Sequence, residues 1–178
     1  MKILIAVASK HRSTREIADV IAEELRAAGH LADVRAPDDV GDVATYDAAI
    51  VGSAVYMGNW LGAARRFVED NRAGLSSIPV WLFSSGPIVL HSGTIGHDQP
   101  TSADDPAHLD ALLDATGARD HRVFAGKVDL HEFNFMERLA VRAAKASEGD
   151  FRDWEAIRQW ARDIAAALPV TVASAAGA

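Results

Sequence analysis

The sequence predicts an α/β fold, a doubly wound five-stranded parallel sheet with helices on both faces. Three observations predict it. Short apolar runs alternate with amphipathic segments along the chain, which implies strand–helix–strand units and their crossovers. The first run, Lys2 to Ala8, is apolar at consecutive positions and not at every second one. That is the pattern of a strand covered on both faces. A helical stripe near the end, Trp154, Ile157, Ala161, Ile164 and Leu168, is the clearest single element. The chain has 178 residues and shows no internal repeat and no linker, so one domain is expected over 1–168, with a flexible tail at 169–178.

The elements follow in order. After Lys2–Ala8, the run Ser13-Thr14-Arg15-Glu16 has the form of a capping box, a hydroxyl at the cap and a carboxylate three residues on. Ile17, Ile21 and Leu25 then recur at helical spacing, and Gly29 is a helix stop. Leu31–Ala36 and Asp47–Gly52 are the second and third strands. Asn59 is placed to cap a helix striped by Leu61, Ala64 and Val68. Pro79–Phe83 is the fourth strand. Residues 84–106 are rich in Gly, Pro, Ser and His and form a long loop, a feature often tied to function. Pro106–Thr116 is helical, His121–Gly126 is the fifth strand, and Asp150 is placed to cap the last helix.

Composition removes several functions. Asp and Glu number 25 against 18 Lys and Arg, a formal net charge of −7, which argues against a general nucleic-acid binder. Cysteine is absent, which excludes disulfides, thiolate metal sites and cysteine nucleophiles and is compatible with the cytoplasm. The first apolar run stops at Lys10-His11-Arg12, too short for a signal peptide or a membrane span.

Ligands of open α/β sheets sit beyond the carboxyl ends of the strands, where strand order reverses. Three loops leave such ends. The first, Ser9-Lys10-His11-Arg12-Ser13-Thr14, opens a helix and combines hydroxyls with positive charge. Helix starts present free N–H groups to anions, so this chemistry suits a phosphate, while the plain alternative is a capped helix behind a basic loop. The second, Ser53 to Asn59 with its flanks, puts Tyr56 and Trp60 beside Gly52, Ala54, Val55, Gly58 and Asn59. Its aromatics can stack on a planar ring or simply pack on the domain. The third begins Ser84-Ser85-Gly86-Pro87, a turn offering backbone groups to a heteroaromatic edge, and turns of this composition are common.

With these loops in place, the chain resembles the flavodoxin-like family, in particular the branch containing the menaquinone-dependent protoporphyrinogen oxidases. The supporting stretches are Ser13–Ala18, Gly52-Ser53…Tyr56…Gly58, Phe83–Pro87, Phe124–Lys127 and Gly149–Trp154. The resemblance implies strand order 2-1-3-4-5 and non-covalent FMN. It places Ser9 and Thr14 at hydroxyl positions of the phosphate loop, His11 where another hydroxyl is usual, and Arg12 where glycine is usual. It places Tyr56 and Trp60 in the loop that lends a stacking aromatic, and Ser84, Ser85 and Gly86 in the loop at the flavin's polar edge. Arg12 either bears a positive φ, offset by pairing with phosphate, or marks a reshaped loop with weak FMN binding or a different phosphorylated flavin.

The resemblance implies an FMN-dependent oxidoreductase passing electrons from a reduced substrate, protoporphyrinogen IX in that branch, to a quinone or other acceptor. The alternatives are a flavodoxin-type electron carrier, which the net charge of −7 favours, and a flavodoxin-fold protein that has lost FMN. Residues 133–146 cluster Phe135, Met136, Leu139, Ala143 and Ala144 opposite Arg138, Arg142 and Lys145. They read as a packed helix, or as a lid, quinone face or peripheral membrane contact. His91, His97, His108, Asp98, Asp104 and Asp105 match no metal-ligand spacing, and no Gly-x-Ser-x-Gly hydrolase motif is present.

Overall fold

The computed structural model describes residues 1–56, 58–86, 106–129, 131 and 148–169. The main strands are β1 (Lys2–Ala8), β2 (Leu31–Arg35), β3 (Ala48–Tyr56), β5 (Val80–Gly86) and β6 (His121–Ala125). They pair in the order β2-β1-β3-β5-β6, and every pair among them is parallel. This is the predicted 2-1-3-4-5 order, with one short addition. β4 (Asn59–Trp60) folds back antiparallel onto the end of β3, pairing Val55 with Trp60 and Tyr56 with Asn59.

Each central strand feeds both faces of the sheet, which is why the strands lack polar alternation. Ile3, Ile5 and Val7 of β1 pack under α1 (Ser13–Ala27) and α5 (Trp154–Ala167), together with Ile50, Trp81 and Phe83. Leu4, Ala6 and Ala8 face the other way, with Val51 and Leu82, against α2 (Gly62–Asp70), α3 (Arg72–Leu75) and α4 (Leu109–Thr116). On the first face Phe83, Phe124 and Trp160 form a cluster, and Phe124 and Trp160 meet edge-on at 5.6 Å. Gly52 makes this possible: a Cβ there would lie 2.1 Å from the Phe83 ring.

The boundaries differ from expectation in instructive ways. β3 runs past Gly52 to Tyr56, so Ala54, Val55 and Tyr56 are strand residues and not loop. β5 likewise continues through Ser84, Ser85 and Gly86, which therefore form no turn. Asn59 does not cap α2; it lies in β4, and Leu61 occupies the cap position. α4 begins at Leu109, three residues after Pro106. Asp153, not Asp150, caps α5, its carboxylate accepting the Ala156 N–H at 3.0 Å. β6 ends at Ala125, and a second two-stranded ribbon joins β7 (Lys127–Val128) to β8 (Gly149–Asp150). The segment 133–146, His91, His97, Asp98, Asp104, Asp105 and the tail from Val170 lie outside the described residues. Among the described residues no helix is long and apolar enough to cross a membrane.

Candidate functional site

The carboxyl ends of β1, β3 and β5 lie side by side, because β3 pairs with both of the others. The first loop leaves β1 at Ser9. Ser13 is already the first residue of α1, so the capping box does not form. The cap position belongs to Arg12, at φ 62 and ψ −24, with no side-chain cap bond. A left-handed non-glycine residue costs about 1–2 kcal/mol. Two backbone bonds hold it there: Ser13 N–H to the His11 carbonyl at 2.7 Å, and Glu16 N–H to the Arg12 carbonyl at 2.9 Å. The loop thus keeps the shape that a glycine would adopt freely, with an exposed guanidinium added.

Ser9 has the most telling environment. Its Oγ is buried and has no hydrogen-bond partner among the described residues. Buried hydroxyls are nearly always paired, so this one stands out among the described residues. Lys10 and Arg12 stand exposed on the same loop, and Thr14 is buried in the first turn of α1. Hydroxyl, helix start and cations together suit a phosphate group.

The second loop meets the first. The His11 and Tyr56 rings lie 6.4 Å apart and tilted by 51°, and Lys10 Nζ stands 5.6 Å from the centre of the Tyr56 ring. Tyr56 is half-buried at the end of β3. Gly58, at φ 75, lies in the reversal that leads to β4, and its carbonyl accepts the Ala107 N–H at 2.7 Å.

Trp60, by contrast, is drawn inward. Only 3% of it is exposed, and its indole N–H donates to Ser84 Oγ at 2.8 Å. The same hydroxyl meets His121 Nε2 at 2.8 Å. Trp60 is therefore a core residue of the second face, and the ring is not held out at the crevice. Ser53 Oγ accepts the Leu61 N–H at 3.0 Å, tying β3 to the start of α2. Ser84 and Ser85 are both buried within β5, so their side chains serve the sheet, while Gly86 ends the strand. A Cβ on Gly86 would lie 3.2 Å from Val55, and Gly126 donates its N–H to the Gly86 carbonyl at 2.9 Å. Pro87 lies outside the described residues.

Residues that sequence reasoning left without a role complete the picture. His121 is bound to Ser84, and Arg152 reaches the first loop from the far end of the chain. Arg152 Nη1 donates to Glu16 Oε2 at 2.6 Å and to the Ser13 carbonyl at 3.1 Å. Nε and Nη2 bind the two Asp150 oxygens at 2.8 and 2.6 Å, and the guanidinium lies 4.3 Å from the centre of the Trp154 ring. The hydrogen bond from Arg152 holds the Asp150 carboxyl below its ordinary pKa. Burial alone would lower the Arg152 pKa, but the bonds to Asp150 and Glu16 raise it. A lowered Asp150 pKa adds stability above the ordinary carboxylate range, and that stability is lost as pH falls through the lowered value. The signal was in the sequence, since Gly149–Trp154 stood out, but nothing local pointed to Ser13.

The comparison with known families decides the affiliation. The flavodoxin domain family matches residues 4–155. The chain belongs to that family. It is 25% identical over 177 residues to "Protoporphyrinogen IX dehydrogenase [quinone]" of Escherichia coli strain K12, covering 93% of this chain and 95% of that one. Among solved structures it resembles the flavodoxin of Streptococcus pneumonia TIGR4, with TM-score 0.62, 22% identity, and coverage of 94% of this chain and 100% of that one. It also resembles rubredoxin oxygen:oxidoreductase from Desulfovibrio gigas, with TM-score 0.59 and 18% identity over 93% of this chain. It spans only 35% of that larger protein. These structural likenesses bear out the flavodoxin fold expected from the alternation of strands and helices.

Proposed function

We propose that this flavodoxin-family chain binds FMN without a covalent bond and works as an oxidoreductase, taking electrons from a reduced substrate and passing them to a quinone or other acceptor. The observation that carries the reading is the buried, unpartnered Ser9 hydroxyl beside a left-handed Arg12 at the start of α1. Ser9, Lys10, His11, Arg12, Ser13 and Thr14 would hold the phosphate. Backbone N–H groups at the helix start and the two loop cations supply the positive potential. Tyr56 is the aromatic placed to flank the flavin ring, with Ala54, Val55, Gly58 and Asn59 shaping that side. Gly86 would border the ring's polar edge. Trp60 and Ser84 support the site from beneath through the bonds described above, and Ser85 lies buried beside them in β5.

Bound FMN would supply the redox chemistry, so no side chain has to act as a classical acid or base. The chain's own part is to fix the phosphate, orient the ring and tune its surroundings. The relative in Escherichia coli is named for protoporphyrinogen IX and a quinone, and its similarity extends along nearly the full length of both chains. That supports a substrate and acceptor of the same class here. The net charge of −7 favours a second reading, a carrier that docks on basic redox partners.

Titration of the purified chain with FMN tests the first step. Flavin fluorescence should be quenched and the melting temperature should rise with FMN concentration. Absence of both effects would overturn the reading. A steady-state assay with a quinone and candidate reduced donors then separates the two roles, since a carrier shows no turnover of its own.

A further inference from the structure

We propose that Arg152 is a positioning residue for anion binding at the start of α1. It grips the Ser13 carbonyl and thereby fixes and polarises the Thr14 N–H of the same peptide unit. This rests on the phosphate reading of the first loop given above.

The geometry argues for positioning over charge. The Arg152 side chain is 4% exposed, whereas Glu16 and Asp150 are 52% and 41% exposed. A guanidinium is seldom buried in this way unless its fork is filled. Here all three nitrogens are used, on Asp150, on Glu16 and on the Ser13 carbonyl. Two carboxylates outweigh one guanidinium, so the cluster has no net positive charge with which to attract an anion at a distance. What remains is its direct grip on the backbone of the first loop. The C=O and N–H of a trans peptide point in opposite directions. A cation on the Ser13 oxygen therefore locks that plane and strengthens the Thr14 N–H as a donor. Ser13 and Thr14 are the first two residues of α1, where N–H groups have no partner within the helix.

The same segment also reaches the third loop. Phe151 donates its N–H to the Gly126 carbonyl at 3.2 Å, and Gly126 donates to the Gly86 carbonyl at 2.9 Å. Residues 149–152 thus bridge the start of α1 and the end of β5, so Arg152 sets the spacing between the two ends of the site. Its peptide partner lies 139 residues away in sequence.

The test uses the full chain labelled with nitrogen-15, and inorganic phosphate as the first probe. In the unmodified protein the Thr14 amide resonance should move and saturate as phosphate is added. Arg152→Lys keeps the positive charge but cannot reproduce the fork. It should weaken phosphate and FMN by about tenfold, with riboflavin, which lacks phosphate, held within about twofold. Equal losses for FMN and riboflavin, or phosphate binding as tight as in the parent, would overturn the proposal. So would a Thr14 amide that ignores phosphate in the unmodified protein. Phosphate binding at Thr14 without any FMN binding would instead overturn the flavin reading and leave Arg152 its role. Should Arg152→Lys fail to fold, Asp150→Glu keeps the charge and shifts the guanidinium's anchor by one methylene at a more exposed position. It should show the same phosphate-selective loss, at about threefold, and a loss shared by riboflavin would count against the proposal.

Discussion

Two serines at the carboxyl ends of β1 and β5, the strands that flank β3, meet opposite fates. Ser84 Oγ is bound on both sides, by the Trp60 indole and by His121. Ser9 Oγ is also buried, yet no group among the described residues binds it. Residue type is alike and does not explain the difference, although Ser84 lies within β5 and Ser9 just beyond the end of β1. What differs is whether a distant part of the chain comes to the hydroxyl. β4 turns back and delivers Trp60 to Ser84, while the first loop turns away at Arg12 and delivers no partner to Ser9. One serine completes the fold. The other is left with its hydroxyl unpaired among the described residues.

That contrast can be broken most forcefully on its structural side. Trp60→Ala removes a large buried ring and strips a partner from Ser84, and should cost about 3–5 kcal/mol of unfolding free energy in a denaturant titration. A cost under about 1 kcal/mol would mean that the indole is no part of the core. Paired alanine substitutions sharpen the contrast next. Ser84→Ala leaves the Trp60 N–H and His121 without their hydroxyl, which should cost about 1–3 kcal/mol of stability. Ser9→Ala should leave stability unchanged or slightly higher and reduce FMN affinity by about tenfold. The reverse pattern in the pair would dissolve the distinction. Arg12→Gly should relieve about 1 kcal/mol of backbone strain. FMN binding should nonetheless weaken by about tenfold and become less sensitive to salt, because a charge-assisted bond to phosphate contributes about 1.5–3 kcal/mol. Riboflavin should respond to the strain alone. If Arg12→Gly tightens FMN, the guanidinium is not a phosphate partner.

The strands and long helices were legible because their apolar residues repeat at periods that local sequence reveals. Lys2–Ala8 needed no tertiary knowledge, nor did the stripe from Trp154 to Leu168. The failures share one cause. Ser13 to Glu16 reads as a capping box, but Glu16 is taken by Arg152, which lies 136 residues away. Ser84 and Ser85 read as a turn because small polar residues usually leave strands, and only the arrival of Trp60 and His121 pairs the Ser84 hydroxyl within the sheet. Asn59 reads as a helix cap because a two-residue strand has no period to detect. The first loop was legible in chemistry, and the positive φ that the glycine position suggested is the one Arg12 adopts. The long-range bonds that decide which hydroxyls are free were not legible at all.

The outer strands show how the sheet ends. β2 and β6 lie at its two edges, and each has an acid–arginine pair two residues apart. Asp33 and Arg35 are 2.9 Å apart on one side, and Asp120, just before β6, lies 3.3 Å from Arg122 on the other. A strand from another molecule that tried to extend the sheet would have to displace water from such a pair before forming its first backbone bonds. That guards the chain against edge-to-edge aggregation, even though β2 carries Leu31 with 71% of its surface in water.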